Sequence, residues 1–437
     1  MRNKIHFLTL GCPKNAVDSE RLKRRLESIG FGVIGDSEGN SRFPEGAAPR
    51  IILINTCGFI EDAKKESIEE ILRLADSKLN GTKLFVFGCL AQRYKEELIR
   101  EIPEIDAIWG VGEEDGIVER LSREFSLSTD SGGHESSPGL PYAYIKTAEG
   151  CDRGCSYCVI PSIRGGFRSA PPEEILGEAE ALVRAGKKEL ILISQDLLSY
   201  GHDLKGYDLI SLIKDIASIS GDFWIRLLYL NPSSLTERLI RLVADEGKIC
   251  RYLDIPFQHS EERILRLMRR PGGRRQHLEL IRRIREAVPG VALRSTLMAG
   301  FPGETEEEFK ALKGFVSEAE FERLGVFKYS REEGTAAARM KGHLSDAVKS
   351  RRYDELMRLQ AAVSLKKNRE LVGASMRALL DEPSLARIYS QAPEIDGVTM
   401  LENSGRRQAG GFADIKITGA MDYDLIGVID DGKEAAG

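Results

Sequence analysis

The stretch Cys151-Asp152-Arg153-Gly154-Cys155-Ser156-Tyr157-Cys158 is the most decisive part of this 437-residue chain, because it places three thiols in a C-x3-C-x2-C run. An apolar segment with the composition of a β-strand, residues 142–147, leads into it. Thiols at such short spacing indicate a metal site. A structural zinc knuckle and a disulfide-linked loop are the two alternatives. Zinc sites usually take a fourth Cys or His close by, and the first His after the run is His202.

A cluster of four irons that is held by three cysteines keeps one iron without a protein ligand. Such an iron is able to chelate the amino and carboxylate groups of S-adenosylmethionine and to pass an electron to its sulfonium, which yields a 5′-deoxyadenosyl radical. The cysteine spacing resembles that of radical S-adenosylmethionine enzymes. We therefore expect Cys151, Cys155 and Cys158 to hold a 4Fe–4S cluster that binds this cofactor.

Three further cysteines, Cys12, Cys57 and Cys89, lie far apart in the sequence, yet each follows an apolar, strand-like segment. The strand-like segments and the helical patterns that follow them are residues 5–10 and 16–29, 51–55 and 60–74, and 84–87 and 91–99. This alternation predicts a parallel α/β sheet, in which the C-terminal ends of the strands form the ligand-binding edge. We expect the three thiols to meet there and hold a second 4Fe–4S cluster. The alternative is three ordinary buried cysteines.

Composition limits the broad class of protein. The net charge is −5 and 30% of the residues are charged, which does not indicate a general nucleic-acid binder. The first residues lack the apolar core of a signal peptide, and no apolar run approaches the ~20 residues that cross a bilayer. Seven cysteines in this context predict a reducing, cytoplasmic setting without membrane contact. Cys250, which begins an apolar segment, is expected in the core.

The chain divides into predicted domains at residues 1–125, 140–371 and 372–437, with a Ser-, Gly- and Pro-rich linker at 126–139. In the middle domain, strand-like segments alternate with helices and predict a partial (β/α)6 TIM-like barrel with its chemistry at the strand C-termini. These six segments are residues 142–147, 189–194, 224–230, 251–256, 292–298 and 323–329. A long amphipathic helix at 345–371 follows. Five short segments after it predict a small closed antiparallel β-barrel.

The whole chain resembles the radical S-adenosylmethionine methylthiotransferases, and within them the RimO-type branch. The motifs that carry the resemblance are Leu10-Gly11-Cys12-Pro13-Lys14-Asn15, Asp254-Ile255-Pro256-Phe257-Gln258-His259, Gly300-Phe301-Pro302-Gly303-Glu304-Thr305 and Phe327-Lys328-Tyr329-Ser330-Arg331-Glu332-Glu333-Gly334-Thr335. The resemblance implies an N-terminal domain with the second cluster, a radical barrel and a C-terminal TRAM barrel, and both cysteine triads match the family's ligands.

The resemblance also implies a reaction. RimO-type members methylthiolate the β-carbon of an aspartate on small-subunit ribosomal protein twelve. They use S-adenosylmethionine both as methyl donor and as radical source, and a protein such as flavodoxin or ferredoxin would supply electrons.

Four other residues are candidate cofactor contacts, and three of them have a plain structural alternative. Tyr157 packs either near the adenine or as a structural aromatic residue, and Gln195 ends the second barrel strand at the ligand face. Arg294 pairs with either the cofactor carboxylate or a barrel carboxylate. Gly300 begins a segment that either shapes the adenine pocket or is a simple turn. Asn15 either touches substrate or caps the helix that begins near residue 16.

Charge bears on the substrate. Residues 372–437 carry eleven acidic and six basic residues, which suits a basic protein partner better than RNA. We expect removal of this segment to weaken docking of that partner and to leave both clusters intact. Nine arginines between Arg263 and Arg285 form either a ribosome-facing patch or a solvated face. One alternative is a tRNA adenosine methylthiotransferase. The resemblance disfavours it, because the tRNA-modifying branch typically has Gln in place of Pro13 and a Pro-rich stretch in place of the Glu332-Glu333 motif. The other alternative is a non-catalytic iron–sulfur electron carrier.

Overall fold

The computed structural model describes residues 4–35, 49–79, 81–125, 139–403 and 408–430. The chain forms two compact units. The first comprises Met1–Ser137 and Cys158–Gly166, and the second comprises Pro138–Tyr157 and Phe167–Gly437. The predicted linker at 126–139 lies outside the described residues except for Gly139.

The first unit contains a five-stranded parallel sheet in the order β2-β1-β3-β4-β5. Its strands are β1 (Lys4–Thr9), β2 (Gly32–Gly35), β3 (Ile51–Thr56), β4 (Lys83–Gly88) and β5 (Ala107–Trp109). All six residues of the central strand β3 are buried, as expected for a parallel strand covered on both faces. The predicted parallel sheet is confirmed, and the short edge strands β2 and β5 add to it.

Helices cover both faces of this sheet. They are α1 (Pro13–Ser28), α2 (Glu61–Ser77), α3 (Cys89–Glu101) and α4 (Glu114–Phe125), and the short α5 (Ile160–Arg164) packs beside the first residue of α3. Successive residues of a strand point to opposite faces. Ile52 therefore packs in one apolar cluster with Ile71 of α2, whereas its neighbour Leu53 packs in the other with Leu22 of α1. The strand ends that carry the cysteines are held between these two layers.

The second unit contains a six-stranded sheet in the order β13-β12-β11-β10-β9-β6, with every neighbouring pair parallel. The strands are β6 (Tyr142–Lys146), β9 (Glu189–Ile193), β10 (Trp224–Leu227), β11 (Ile249–Asp254), β12 (Ala292–Ala299) and β13 (Arg323–Lys328). The helices are α6 (Pro172–Arg184), α7 (Leu209–Ser218), α8 (Glu237–Asp245), α9 (Glu262–Leu267), α10 (Arg274–Ala287) and α11 (Glu306–Ala319). Within the described residues β6 and β13 are the two edges, so the predicted open (β/α)6 barrel is confirmed.

Two short strands flank the cysteine run. They are β7 (Ala148–Glu149), before the run, and β8 (Arg168–Ser169), after it, and they pair in antiparallel fashion. The cysteine run therefore follows β7 rather than β6 directly. Strands this short leave no alternating pattern by which the sequence could predict them.

The long helix α12 (Asp346–Glu370) leads to a small closed barrel. Its strands are β14 (Ser375–Glu382), β15 (Leu385–Ile388), β16 (Thr399–Leu401), β17 (Phe412–Ala420) and β18 (Leu425–Ile429). One detail corrects the predicted all-antiparallel barrel: β16 and β18 pair in parallel, and the other four pairs are antiparallel. Strand direction alternates across the four antiparallel pairs. In a closed barrel with an odd number of strands, the last pair, β16 and β18, must then run in the same direction.

Of the helices in the described ranges, none combines membrane-spanning length with the hydropathy needed to cross a bilayer.

Candidate functional site

Cys12, Cys57 and Cys89 lie at the C-terminal ends of the adjacent strands β1, β3 and β4. Cys12 is the N-cap residue of α1, Cys57 directly follows β3, and Cys89 is the first residue of α3. Cys57 and Cys89 are only 6% and 5% exposed. The thiols therefore lie at the sheet edge predicted for them.

Close approach of the backbone holds these cysteines in place. Gly11 has φ +99°, and a Cβ added there would lie 2.7 Å from Cys57 Cβ and 3.0 Å from its Sγ. Gly88, with φ +101°, packs against Asn55 and Thr56 in the same way. Both glycines stand beside a cysteine because no other residue fits there.

The thiols of this triad influence one another's pKa values. Burial raises the pKa of Cys57 to about 12, and the neighbouring Cys12 and Cys89 add to the rise. Burial likewise raises the pKa of Cys89, against the lowering effect of the Arg164 guanidinium. A thiol in such a setting needs a positive partner to become a thiolate, and iron would provide one.

Asn15 connects the loops of this triad and is fully buried. Its Nδ2 donates to Leu10 O at 2.9 Å and Thr56 O at 3.2 Å, and its Oδ1 accepts from Arg164 Nη2 at 2.8 Å. Cys12, not Asn15, is the N-cap residue of α1. The alternative that Asn15 caps the helix is thus wrong, because its side-chain amide instead hydrogen-bonds the backbone of the Cys12 and Cys57 loops.

The run from Cys151 to Cys158 is fastened by its non-cysteine residues. Arg153 Nε donates to Asp196 Oδ2 at 2.5 Å, and its Nη2 donates to Ser234 Oγ at 2.6 Å. Ser156 Oγ donates to Leu267 O at 2.7 Å. Cys151, Cys155 and Cys158 are all half-buried, and burial raises the pKa of Cys151.

Neither triad is shaped for a single ion. Within the described ranges, no three or more His, Cys, Asp or Glu side chains are placed to surround one metal ion. All seven cysteines are free thiols. Free cysteines are the ligand type that a four-iron cluster takes, since it is bound by thiolates.

Polar atoms at the end of β9 fit a bound polar cofactor. Gln195 Nε2 donates to Glu149 Oε1 at 2.8 Å. Its Oε1, together with Ser194 Oγ and Asp196 Oδ1, is buried without a hydrogen-bond partner in the described part of the chain. Buried polar atoms normally find partners. These atoms stand where S-adenosylmethionine is expected, just beyond the strand that neighbours the cysteine run.

Arg294 is placed against two barrel carboxylates. Its Nη1 lies 3.1 Å from Asp254 Oδ1, and its Nε lies 3.5 Å from Asp396 Oδ1. These two carboxylates already balance the guanidinium charge, so the structure favours the second of its two predicted roles. A cofactor contact at Arg294 remains only a prediction.

Tyr157 and Gly300 belong to one neighbourhood. The Tyr157 ring meets the Phe301 ring edge to face at 6.5 Å. Glu304 Oε2 accepts from Gly300 N at 2.6 Å and from Phe301 N at 3.0 Å, which fixes the turn after β12. Gly300 has φ +80°, and a Cβ there would lie 2.4 Å from Lys349 Cγ. The turn therefore needs glycine whether or not a cofactor lies against it.

The arginine-rich segment is largely neutralised. Six of its nine arginines form ion pairs, Arg263–Glu308, Arg266–Glu262, Arg274–Glu318, Arg282–Glu279, Arg283–Glu237 and Arg285–Glu322. This favours the solvated-face interpretation over a basic docking patch.

Two residues that contact cysteines of the triads were not identified from the sequence. Arg164 Nη2 lies 3.4 Å from Cys89 Sγ, and Arg270 Nη1 lies 3.8 Å from Cys155 Sγ. Neither arginine ends a strand or belongs to a cysteine motif. The one available signal is that Arg164 follows Cys158 by six residues.

Family comparisons agree with this architecture. The Radical SAM superfamily matches residues 145–316, the Uncharacterized protein family UPF0004 matches 4–110, and the TRAM domain matches 372–429. Among solved structures, the radical S-adenosylmethionine methyltransferase TsrM from Kitasatospora setae superposes with a TM-score of 0.57 at 16% identity, covering 77% of each chain. That likeness shows the fold. Together, the fold and the cysteine run define a radical S-adenosylmethionine enzyme, a class that implies a 4Fe–4S cluster and S-adenosylmethionine.

Curated relatives narrow the class. The chain is 52% identical to the ribosomal protein uS12 methylthiotransferase RimO of Thermodesulfovibrio yellowstonii, over 97% of this chain and 98% of the relative. It is 44% identical to the protein of the same name from Geobacter sulfurreducens, over 98% and 99%. The chain belongs to the RimO family of methylthiotransferases.

Proposed function

We propose that this enzyme methylthiolates the β-carbon of an aspartate on ribosomal protein uS12. The relatives that it matches over nearly their whole length are named for that substrate. The observation that carries the proposal is the presence of two thiol triads, one at the C-terminal ends of β1, β3 and β4 of the parallel sheet and one in the loop that follows β7. A reaction that both activates an aspartyl C–H bond and delivers sulfur calls for two such sites.

In this proposal Cys151, Cys155 and Cys158 hold the cluster that binds S-adenosylmethionine, and Cys12, Cys57 and Cys89 hold a second 4Fe–4S cluster. When bound, these groups supply the radical that removes the β-hydrogen and the sulfur that replaces it. A flavodoxin or ferredoxin is the proposed electron source. A ribosomal substrate would place the reaction in the cytoplasm.

The chain's own residues position the reactants and exclude water. Gln195 Oε1 and its neighbours at the end of β9 are proposed to meet polar groups of S-adenosylmethionine, with Tyr157 and Gly300 lining the same pocket. The burial of Cys57 and Cys89 keeps solvent from the sulfur to be transferred. Burial raises the pKa values of both thiols, so a bound, positively charged cluster would favour their thiolates.

Surface charge supports a protein substrate. In residues 372–403 and 408–430 the exposed acidic residues outnumber the exposed basic ones. The acidic residues are Glu382, Glu394, Glu402, Asp414, Asp422 and Asp430, and the basic residues are Arg377 and Lys416. This balance of exposed charge favours a basic ribosomal protein over RNA phosphates as the partner. A tRNA substrate is therefore disfavoured.

Mass spectrometry tests the proposal directly. Ribosomal protein uS12 should carry a methylthio group on an aspartate in cells with the gene and lack it in cells without it. Purified, anaerobically reconstituted enzyme should transfer the group to uS12 within small ribosomal subunits. Transfer to tRNA in preference to uS12 would contradict the assignment.

A further inference from the structure

Each cysteine triad includes one thiol that lies against an arginine. Arg164 Nη2 is 3.4 Å from Cys89 Sγ, and Arg270 Nη1 is 3.8 Å from Cys155 Sγ. An arginine stays charged throughout the working pH range and has only donors. Both contacts therefore put a fixed positive charge and an N–H group beside one sulfur of each triad.

The position of Arg164 is fixed by buried partners. Nη1 pairs with Asp18 Oδ2 at 3.1 Å, and the two side chains are 2% and 9% exposed. Nη2 also donates to Asn15 Oδ1 at 2.8 Å, and Asn15 in turn binds the backbone of the neighbouring cysteine loops. Because the pair is buried, water screens the guanidinium less than at the surface, and the Asp18 carboxylate and Asn15 hold its Nη2 close to Cys89 Sγ.

The position of Arg270 is fixed by a reversal of the chain at the end of α9. Arg269 takes φ +56°, and Arg270 N donates to Leu265 O at 2.8 Å, as in a left-handed helix C-cap. The reversal turns the Arg270 side chain back, where Nη2 donates to Pro256 O at 2.9 Å and Nη1 reaches Cys155. A left-handed conformation at a residue other than glycine is unusual and marks a constrained site.

We propose that Arg164 and Arg270 are positioning residues that each raise the reduction potential of one iron–sulfur cluster, Arg164 through Cys89 and Arg270 through Cys155. The inference rests on the proposed assignment of the two triads to two clusters. Reduction adds negative charge to a cluster, and a nearby cation that donates to a ligand sulfur stabilises the reduced state. The arginine beyond the ligands thus sets how readily each cluster accepts an electron.

The test measures each cluster alone in the full-length chain. The triple variant C151A/C155A/C158A leaves only the first-unit cluster, and C12A/C57A/C89A leaves only the radical cluster. Redox titration followed by electron paramagnetic resonance then gives the potential of each cluster with and without Arg164→Met and Arg270→Met. The two arginine variants are matched controls for each other.

We expect R164M to lower the potential of the first-unit cluster and to leave that of the radical cluster unchanged, with the opposite result for R270M. At a fixed potential, the reduced-to-oxidised ratio should fall about tenfold, as for the loss of one charge-assisted hydrogen bond. R164K keeps the positive charge, so the potential of its first-unit cluster should lie close to that of the unmutated arginine. A purely structural role would change iron content or stability without this selective shift.

Two failures are distinguishable. If either triple variant binds no cluster, the proposed assignment falls and this inference falls with it. If the clusters are bound and R164M and R270M leave their potentials unchanged, the inference alone is overturned. Should R164M lose iron because Asp18 loses its guanidinium partner, the double variant R164M/D18N removes the carboxylate charge as well. An unshifted potential there would likewise overturn the inference.

Discussion

Arg387 of β15 and Glu189 of β9 form an ion pair at 2.6 Å in which the two side chains are 1% and 0% exposed. Glu189 also pairs with Arg226 at 2.5 Å, and Arg387 pairs with Asp381 at 2.5 Å. These four charges join the small C-terminal barrel to the beginning of β9 and the middle of β10. The small barrel is thus part of the structure of the second unit rather than an appended module.

Replacement of Arg387 by Met should destabilise the second unit by about 3–5 kcal/mol, because it leaves the buried Glu189 with one cation fewer. Denaturant unfolding of the anaerobic holoenzyme would measure this loss. Arg184→Ala is the control, since the Arg184–Glu180 pair is 71% and 53% exposed and should contribute less than about 1 kcal/mol. Equal midpoints for both variants would contradict the role of the buried network.

The same network changes what is expected of truncation. The sequence alone favours removal of residues 372–437 as a clean test of docking. In the structure this removal would take away Arg387, the ion-pair partner of Glu189. It would also take away Asp396, which accepts a hydrogen bond from the Tyr252 hydroxyl at 2.7 Å. Truncation should therefore destabilise the radical barrel itself, so charge reversal at the exposed acidic residues is the better docking test.

Local hydrophobic patterns predicted the two parallel sheets and the closed barrel, because each strand appears in the sequence as an apolar segment that is followed by a helix or a turn. The pattern could not reveal the Glu189–Arg387 pair, whose residues are 198 positions apart. Nor could it reveal Arg164, since nothing in its sequence neighbourhood points to Cys89. Convergence of Cys12, Cys57 and Cys89 was predictable only because all three follow strands of one sheet.

His277 should make stability depend on pH. It is 3% exposed, its ring lies 4.5 Å from that of Phe257, and burial together with the nearby Arg270 charge lowers its pKa to about 4. A depressed histidine pKa contributes stability above the unfolded value near 6.5, and this contribution is lost as pH falls toward 4.

From pH 7 to 5.5 the wild type should therefore lose about 1 kcal/mol more unfolding free energy than His277→Gln. Urea unfolding of both proteins at the two pH values gives the comparison. His259, which is also buried with a lowered pKa, is present in both proteins, so most of its contribution cancels. Parallel pH dependence in the two proteins would show that His277 does not titrate as expected.

Gly11→Ala should selectively remove the first-unit cluster. A methyl group there would press on Cys57 Cβ and Sγ at 2.7 and 3.0 Å. Gly30 is the matched control, because it has a similar φ of +94° and nothing within 4 Å of its added Cβ. G11A should therefore bind roughly half of the iron, and G30A should bind all of it. Full iron content in G11A would mean that Cys57 tolerates displacement.

The unmutated protein should hold about eight irons per chain after anaerobic reconstitution, four for each triad. Each triple cysteine-to-alanine variant should hold roughly half. Cys250→Ala should keep the full content, since Cys250 lies buried near the beginning of β11 and belongs to neither triad. Iron and sulfide analysis measures these values, and about four irons in the fully reconstituted wild type would leave only one cluster.

The two triads should fail in different ways. In C12A/C57A/C89A the ligands of the radical cluster remain, all within eight residues of chain that Arg153 and Ser156 fasten to the barrel. Given reductant and S-adenosylmethionine, this variant should still form 5′-deoxyadenosine, but it should attach no methylthio group because the sulfur has no iron to hold it. C151A/C155A/C158A should form no 5′-deoxyadenosine. Both products are measured by chromatography and mass spectrometry, and methylthiolated product from the first variant would show that the first-unit cluster is not the sulfur carrier.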